Sequence, residues 1–281
     1  MTARVAHDVT GSGPPVLLLH GFPQTRALWH DIVADLSTDF TCVTADLRGY
    51  GASPKPPEDG GAYAFREMAA DMTALMSSLG FDRFHLVGHD RGARVAHRLA
   101  LDAPDSVESL TVMDIVPTRH LLENWTRDLG LAYWHWTFLP QPAPFPERMI
   151  EADPDRFFET CLLGWGGADP SDFARIETFR AAWRKPETIR GMCADYRATV
   201  DIDLAHDRAD AGRRVECPAL VVWGDRGVMA RLLDVAATWK DYLSDMRTAT
   251  VEGGHFFIDT NPKGTLAVLR PFLEAQASRT P

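Results

Sequence analysis

A five-residue segment, Gly88-His89-Asp90-Arg91-Gly92, places the strongest constraint on the fold of this chain. It follows the apolar run at residues 84–87 and precedes a stretch of helical character at residues 93–101. This pattern predicts a strand, a tight turn and a helix, with an acidic residue at the tip of the turn. Glycines at the first and fifth positions permit a turn that is too sharp for larger residues. We interpret Asp90 as a carboxylate nucleophile, although Asp also serves well as a helix N-cap.

Apolar runs and helical patterns alternate on both sides of this segment. Strands are predicted at residues 3–9, 16–19, 41–45, 84–87, 107–115, 218–223 and 247–251. Helices are predicted at residues 28–36, 62–79, 93–101, 230–243 and 265–275. Alternation of this kind is typical of an α/β fold, with a mostly parallel sheet flanked by helices.

Residues 118–207 interrupt the alternation. They are mostly helical in character, contain no apolar strand run, and hold five of the eight tryptophans. We predict that residues 118–207 form a helical cap domain, inserted into a core domain made of residues 1–117 and 208–281.

Composition excludes several classes of function. A hydrophobic content of 45% and a charged content of 24% are those of an ordinary soluble globular protein. The formal net charge of −10 argues against nucleic acid and anionic membranes as partners. No apolar run reaches the ~18 residues of a transmembrane helix, the first residues lack a signal-peptide apolar region, and the four cysteines show no CxxC spacing. We therefore predict a cytoplasmic protein with reduced thiols.

Titratable residues follow several of the predicted strands. Ligands of parallel sheets bind at the C-terminal ends of the strands, and five such residues are expected there: His20, Asp90, Asp114, Asp225 and His255. In this arrangement Asp90 would form an ester with a substrate carbon. His255 would then deprotonate the water that attacks the carboxyl carbon of the ester.

Two residues are candidates for the acid that orients His255. Asp114 closes the apolar strand at residues 107–115, and a charged residue in that place needs a partner. Asp225 follows the strand at residues 218–223, but Gly227 occupies the position, two residues further on, where many related enzymes carry their acid. We prefer Asp114 and keep Asp225 as the alternative.

The turn also offers groups that bind anions. The backbone N–H groups of Phe22 and Arg91 are candidates for an oxyanion hole. Arg91 and Arg94 lie three residues apart on the first turn of a helix, so both can face the site and bind a substrate carboxylate. Solvated helix arginines are the alternative interpretation.

The predicted cap contains the aromatic segments Tyr133-Trp134-His135-Trp136 and Asp195-Tyr196-Arg197. Some of these side chains must belong to an aromatic core. Imidazole, indole N–H and phenol O–H groups can also form a pocket of donors around a leaving halide.

Several motifs together resemble the fluoroacetate dehalogenase family of α/β-hydrolases. The resemblance covers residues 13–273 of this chain. They are His20-Gly-Phe-Pro-Gln24, Gly88-His-Asp-Arg-Gly-Ala-Arg94, Val112-Met-Asp-Ile-Val-Pro-Thr118, Tyr133-Trp-His-Trp136 with Gln141-Pro-Ala-Pro144, Cys193-Ala-Asp-Tyr-Arg-Ala198 and Gly253-Gly-His-Phe-Phe257. Most α/β-hydrolases carry Ser at the tip of the turn, so Asp90 narrows the chemistry further.

The resemblance implies an activity and a set of roles. Asp90 attacks the α-carbon of a 2-haloacetate, and hydrolysis of the ester releases glycolate or another 2-hydroxy acid. The implied roles are carboxylate binding by Arg91 and Arg94, halide binding by His135, Trp136 and Tyr196, orientation of His255 by Asp114, and pocket positions for Trp165 and His89. Members of the family are usually homodimers, with a small-molecule 2-haloacid as substrate and no metal or organic cofactor.

The chain also departs from the family pattern. Its N-terminal segment is short enough to lack the first strand of the usual opening hairpin, and Trp134 stands where other members carry Tyr. Gly164-Trp-Gly-Gly167 surrounds Trp165 with small residues. These features bear on halide preference and substrate size.

Two other functions remain open. An epoxide hydrolase uses the same Asp and His with two cap tyrosines, for which Tyr133 and Tyr196 are available. A non-catalytic receptor would use the pocket for binding alone, but the intact set of Asp, His and Asp argues against it. The paired arginines favour an anionic haloacid over an epoxide.

Overall fold

A seven-stranded sheet forms the centre of the computed structural model, which describes residues 5–59, 61–165 and 168–278. The strand order is β1-β3-β2-β4-β5-β6-β7. Within the described residues, β1 pairs antiparallel with β3, and the other five neighbouring pairs are parallel. The strands are β1 (His7–Thr10), β2 (Pro15–Leu19), β3 (Thr41–Ala45), β4 (Phe84–His89), β5 (Val107–Met113), β6 (Ala219–Gly224) and β7 (Met246–Val251).

The central strands are apolar because helices cover both faces of the sheet. In β2, Val16, Leu17, Leu18 and Leu19 are all fully buried, as expected of a parallel strand inside an α/β fold. The register pairs His89 with Met113 and Met113 with Val222. The carboxyl ends of β4, β5 and β6 therefore meet along one edge of the sheet.

Helices connect the strands of the first half of the chain. They are α1 (His30–Leu36), α2 (Phe65–Ser78) and α3 (Arg91–Asp102). In α2 the apolar residues recur at three- and four-residue steps and are buried, which explains why this segment is an amphipathic helix.

Between β5 and β6 the described chain is helical and contains no strand. The helices are α4 (Thr118–Glu123), α5 (Arg127–Ala132), α6 (His135–Phe138), α7 (Phe145–Glu151), α8 (Pro154–Gly164), α9 (Ile176–Trp183), α10 (Pro186–Ala198) and α11 (Leu204–Ala209), with a π-helical turn at Thr199–Asp203. This insertion coincides with the segment predicted to be a cap. Its status as a separate domain stays a prediction.

Strands and helices alternate again from residue 219 onward. After β6 come α12 (Val228–Leu232) and α13 (Val235–Trp239), and after β7 come α14 (Phe257–Thr260) and α15 (Pro262–Ala277). The fold is the predicted mostly parallel sheet flanked by helices, which confirms the α/β prediction.

Some predicted boundaries were wrong. The single helix expected at residues 230–243 is two short helices, because Asp234 caps a new helix by accepting a hydrogen bond from the Ala237 N–H at 3.0 Å. The helix expected at residues 28–36 begins instead with a 3₁₀ turn, Arg26–Trp29. Residues 1–4, which bear on the opening hairpin, and Gly166 and Gly167 beside Trp165 lie outside the described residues.

Among the described helices, none combines the length and the apolar character that crossing a membrane requires. The same part of the chain contains no group of three or more His, Cys, Asp or Glu side chains arranged to hold a metal ion.

Candidate active site

Asp90 lies at the tip of the turn between β4 and α3, in a backbone conformation that non-glycine residues rarely adopt. Its φ is +48° and its ψ is −115°, so this residue itself carries backbone strain. The flanking glycines are required by close packing. A Cβ atom on Gly88 would lie 2.4 Å from the carbonyl oxygen of Gly92, and one on Gly92 would lie 2.3 Å from that of Leu19.

The Asp90 carboxylate has one oxygen fixed and one facing the base. Its Oδ1 accepts a hydrogen bond from the backbone N–H of Phe22 at 2.8 Å, and its Oδ2 lies 3.8 Å from Nε2 of His255. Gly21 makes this approach possible, since a Cβ there would lie 2.6 Å from Oδ1. Burial raises the pKa of Asp90, but the nearby charges of two histidines and two arginines outweigh it and lower the pKa to about 2.

His255 contacts Asp114. Its Nδ1–H donates to Asp114 Oδ2 at 2.6 Å, and the other oxygen of Asp114 accepts the Gly224 N–H at 2.9 Å. Nε2 of His255 is buried and has no hydrogen-bond partner. Burial lowers the pKa of His255, but the hydrogen bond and charge of Asp114, with the charge of Asp90, raise it above its ordinary value.

Asp225, the alternative acid, lies elsewhere. Its side chain is 47% exposed and accepts a hydrogen bond from the Gly253 N–H at 3.0 Å. The geometry thus brings Asp114, and not Asp225, into contact with His255.

Both predicted carboxylate-binding arginines are buried, but they have different partners. Arg91 is ion-paired with Asp195 through its Nε and Nη2 atoms, which leaves its Nη1 without a partner. Arg94 donates from Nη1 to the Val116 carbonyl at 3.1 Å and to Thr118 Oγ1 at 3.0 Å, while its Nε has no partner. Burial and the charge of Arg91 lower the pKa of Arg94 to about 10, so it stays a cation at neutral pH.

The aromatic residues of the insertion surround Phe22. The His135 ring stacks on Phe22 at 5.7 Å between centroids and lies 4.1 Å from Trp165. Tyr196 lies 5.3 Å from both Phe22 and Trp136. Nδ1 of His135 and the hydroxyl of Tyr196 are buried without a partner, and burial lowers the pKa of His135 well below its ordinary value. A neutral imidazole and a phenol are thus available as hydrogen-bond donors.

His89 and Arg197 have surroundings that differ from those of the pocket aromatics. His89 donates from Nε2 to the backbone carbonyl of His255 at 2.9 Å, and the two rings lie 4.7 Å apart. His89 therefore supports the loop that carries the base. Arg197 points away, towards Glu58 and Glu147.

Two buried residues had no assigned role in the sequence interpretation of the haloacid site. Asp195 binds Arg91, and the Tyr133 hydroxyl is buried without a partner, 5.6 Å between rings from His135 and from Trp165. The need of a buried arginine for a counter-charge was a signal for Asp195. That requirement did not identify which carboxylate pairs with Arg91.

Comparison with known proteins agrees with this geometry. The model of the alpha/beta hydrolase fold family matches residues 14–262. A fluoroacetate dehalogenase from Burkholderia sp is 53% identical over 269 residues, which cover 94% of this chain and 88% of that protein. The chain belongs to the fluoroacetate dehalogenase family of alpha/beta hydrolases. The family predicted from the motifs is thereby confirmed.

More distant relatives share the fold. A soluble epoxide hydrolase from Corynebacterium sp. (strain C12) is 28% identical, over 92% of this chain and 90% of that protein. The crystal structure of an alpha/beta hydrolase from Nostoc sp PCC 7120 superposes with a TM-score of 0.95 at 42% identity, over 97% of this chain and 94% of that one.

Proposed function

We propose that the protein hydrolyses the carbon–halogen bond of 2-haloacetates, producing glycolate and halide. The observation that carries this proposal is the ionised Asp90 carboxylate, one oxygen of which faces Nε2 of His255. Two buried arginines, Arg91 and Arg94, lie on the helical turn that follows it. The 53% identity to a fluoroacetate dehalogenase supports it.

In the first step, Oδ2 of Asp90 attacks the α-carbon. Oδ1 is already held by the Phe22 N–H, so the free oxygen forms the new C–O bond, and the halide leaves with the electrons of the C–X bond. A carboxylate with a pKa of about 2 is fully ionised at neutral pH. Arg94 and the free Nη1 of Arg91 hold the substrate carboxylate and so align the α-carbon with Oδ2.

The departing halide is held by His135, Trp136 and Tyr196. Nδ1 of His135 and the hydroxyl of Tyr196 are buried without partners. The imidazole donates in the tautomer that carries its proton on Nδ1, and a buried donor without an acceptor costs about 1–3 kcal/mol. An anion that appears between them accepts these hydrogen bonds. The donors therefore stabilise the transition state, in which the halide charge develops, more than the neutral C–X bond.

In the second step, Nε2 of His255 takes a proton from water as the water oxygen attacks Cγ of Asp90. The negative charge develops on Oδ1, which faces the Phe22 N–H, with the Arg91 N–H as the second proposed donor. The Cγ–Oδ2 bond then breaks, and the hydroxy acid leaves with that oxygen and the proton from His255. The second water proton, left on the new hydroxyl of Asp90, is lost to solvent and restores the carboxylate. Asp114 holds the imidazole ring in place throughout.

Formation of the ester also prepares the base. Asp90 is one of the charges that raise the pKa of His255, and the ester carries no charge. The pKa of His255 is therefore lower in the intermediate than beside the ionised Asp90, which favours the neutral imidazole that must accept a proton.

Halide release tests the proposal directly. Purified protein is incubated with fluoroacetate, chloroacetate or bromoacetate, and halide is followed with an ion-selective electrode. We expect release of at least one halide, and a loss of at least about 10³-fold in the matched variant Asp90→Asn. Absence of halide from all three substrates would overturn the proposal.

Epoxide hydrolysis is the second candidate, and two tyrosines favour it. The hydroxyls of Tyr133 and Tyr196 are both buried without a partner, and their rings lie 5.6 Å and 5.5 Å from that of His135. Such groups could protonate an epoxide oxygen. The buried cation of Arg94 favours an anionic substrate instead, and diol formation from styrene oxide without any halide release would reverse this preference.

Three broader predictions accompany the proposal. Residues 118–207 act as a cap over the site, the protein is a homodimer, and it works in the cytoplasm. These follow from the sequence pattern and the family resemblance.

A further inference from the structure

Three arginines on α3 form one stripe, at Arg91, Arg94 and Arg98, and all three are buried. Arg91 is ion-paired with Asp195, and Arg98 with Asp210 and Asp102, both at 2.5 Å. Within the part of the chain that the structure describes, no carboxylate oxygen lies within 4.0 Å of the Arg94 guanidinium. Of these three arginines, Arg94 is therefore the one without an ion-pair partner among the described residues.

Asp195 lies on α10 of the insertion, and its side chain is fully buried. Oδ2 accepts the Arg91 Nε–H at 2.8 Å and the Tyr50 hydroxyl at 2.6 Å, while Oδ1 accepts from Nη2. Nη2 also contacts Thr199 Oγ1. The carboxylate thus takes one whole edge of the guanidinium in a bidentate pair.

Aromatic rings fix the plane of the same guanidinium. Cζ of Arg91 lies 4.3 Å from the ring centroid of Tyr196 and 4.7 Å from that of Phe65. With its Nε edge bound to Asp195 and its faces covered, the Arg91 side chain has one group left to offer, the buried and unpartnered Nη1.

We propose that Asp195 is a positioning residue that gives Arg91 and Arg94 different functions. This inference rests on the proposed carboxylate-binding function. Asp195 aims Nη1 of Arg91 at the substrate carboxylate and cancels the charge of Arg91. Arg94 then supplies the net positive charge that balances the substrate. Arg91 sets orientation, and Arg94 sets affinity.

The proposal implies that removing the Asp195 charge strengthens carboxylate binding once Arg91 has been replaced. A purely structural role of Asp195 does not produce this effect. Replacing Arg91 alone leaves the Asp195 carboxylate buried, unpaired and close to the substrate carboxylate, so the two anions repel each other. Removing that charge as well should restore binding. The loss of two merely structural contacts would instead add up.

The test uses acetate as a carboxylate probe, with its dissociation constant measured by calorimetry in wild type, Arg91→Gln, Asp195→Asn and the double variant. We expect Arg91→Gln to weaken acetate binding by at least about 30-fold, and the double variant to bind at least about 5-fold more tightly than Arg91→Gln. A double variant that binds acetate no better than Arg91→Gln overturns the inference. A wild type that does not bind acetate at about 100 mM, which is 100-fold above a KM of ~1 mM, also overturns it.

A kinetic measurement separates orientation from affinity. In Asp195→Asn the charge of Arg91 is kept while its alignment is lost, so single-turnover release of bromide from bromoacetate should slow about 10–100-fold. KM should not rise, because the Arg91 cation is kept and its counter-charge is removed. A rise in KM with an unchanged single-turnover rate overturns the assignment of orientation to this pair.

Controls distinguish this inference from the proposed function and from misfolding. Acetate binding does not require turnover, so a wild type that binds acetate but releases no halide refutes the dehalogenase proposal alone. Tyr50→Phe removes one hydrogen bond to Asp195 and keeps both charges. If Asp195→Asn does not fold, Tyr50→Phe should still slow bromide release about 3–10-fold with KM unchanged, and an unaltered rate counts against the inference.

Discussion

His255 Nδ1 lies 2.6 Å from Asp114 Oδ2, and the second oxygen of Asp114 is held by the backbone N–H of Gly224. Asp114 has a φ of +51°, in the left-handed region that few aspartates adopt. The backbone of the turn after β5 is therefore strained at Asp114, and this conformation directs the fully buried Asp114 carboxylate at the imidazole of His255. Because an ionised carboxylate can only accept, this contact fixes the proton on Nδ1 and leaves Nε2 as the basic atom.

The first prediction concerns this contact. Asp114→Asn should slow hydrolysis of the ester by about 10²–10⁴-fold, since an amide can donate to Nδ1 and favour the wrong tautomer. Of Asp90, Asp114 and His255, displacement of halide needs only Asp90, so it should slow much less. Mass spectrometry of acid-quenched enzyme should therefore show the esterified protein accumulating during turnover of bromoacetate.

Asp225→Asn provides the matched control for that variant. It removes one charge from the other candidate acid, which is half exposed and bound to the Gly253 N–H. Its turnover should stay within about twofold of wild type. The opposite ranking of the two variants would assign the orienting role to Asp225.

The general layout of the site follows from sequence because the ends of parallel strands meet. Asp90, Asp114 and His255 each follow a predicted strand, so a sheet in which β4, β5 and β7 point the same way must bring their ends to one edge. The choice between Asp114 and Asp225 could not be made with certainty from sequence. Both follow neighbouring strands, and the decision lies in the backbone torsions of the two turns.

The partner of Arg91 is a different case. Asp195 is 104 residues away along the chain, and its contact depends on how α10 packs against α3. No local pattern encodes that packing. The same holds for the contact between the rings of Tyr133 and Trp165, which lie on separate segments of the insertion and are 5.6 Å apart. Sequence periodicity predicts that such residues are buried, but it does not identify their neighbours.

The second prediction concerns the leaving group. Tyr196→Phe removes one donor from the proposed halide pocket and should slow displacement of fluoride about 10–100-fold. Bromide, a weaker hydrogen-bond acceptor on a weaker bond, should be affected less than about fivefold. Single-turnover halide release from fluoroacetate and bromoacetate measures both rates.

Tyr133→Phe is the control for that variant, because it removes an equally buried and unpartnered hydroxyl beside the same histidine. It should not discriminate between the two halides. Equal losses for fluoroacetate and bromoacetate in Tyr196→Phe would argue against contact between Tyr196 and the halide.

The third prediction separates the two half-reactions by pH. Displacement requires an ionised Asp90, whose pKa is lowered to about 2, so single-turnover bromide release should be flat from about pH 5 to 8. Hydrolysis requires a neutral His255 in the ester intermediate, where the hydrogen bond and charge of Asp114 still raise its pKa. A raised pKa keeps the imidazole protonated to higher pH, so steady-state kcat should fall about tenfold per pH unit on the acid side. A parallel fall in both rates would place another group in control of displacement.

The fourth prediction concerns stability and uses Asp203, which joins the π-helical turn of the insertion to the start of α2. Its Oδ1 accepts the backbone N–H of Phe65 at 2.8 Å, and its Oδ2 is buried without a partner. Burial raises the pKa of Asp203 from its ordinary 3.8 to about 8. The folded protein therefore keeps this proton over a range of pH in which the unfolded chain has released it.

The sign of the effect follows from that difference. The contribution of Asp203 to the free energy of unfolding is fully present below about pH 4 and is lost as pH rises towards 8. Asp203→Asn keeps an oxygen for the Phe65 N–H and cannot ionise, so it should be more stable than wild type by at least about 1 kcal/mol at pH 8. Urea unfolding at pH 5 and pH 8 measures the change. If the difference in stability between the variant and wild type is the same at both pH values, Asp203 does not hold its proton in the folded state.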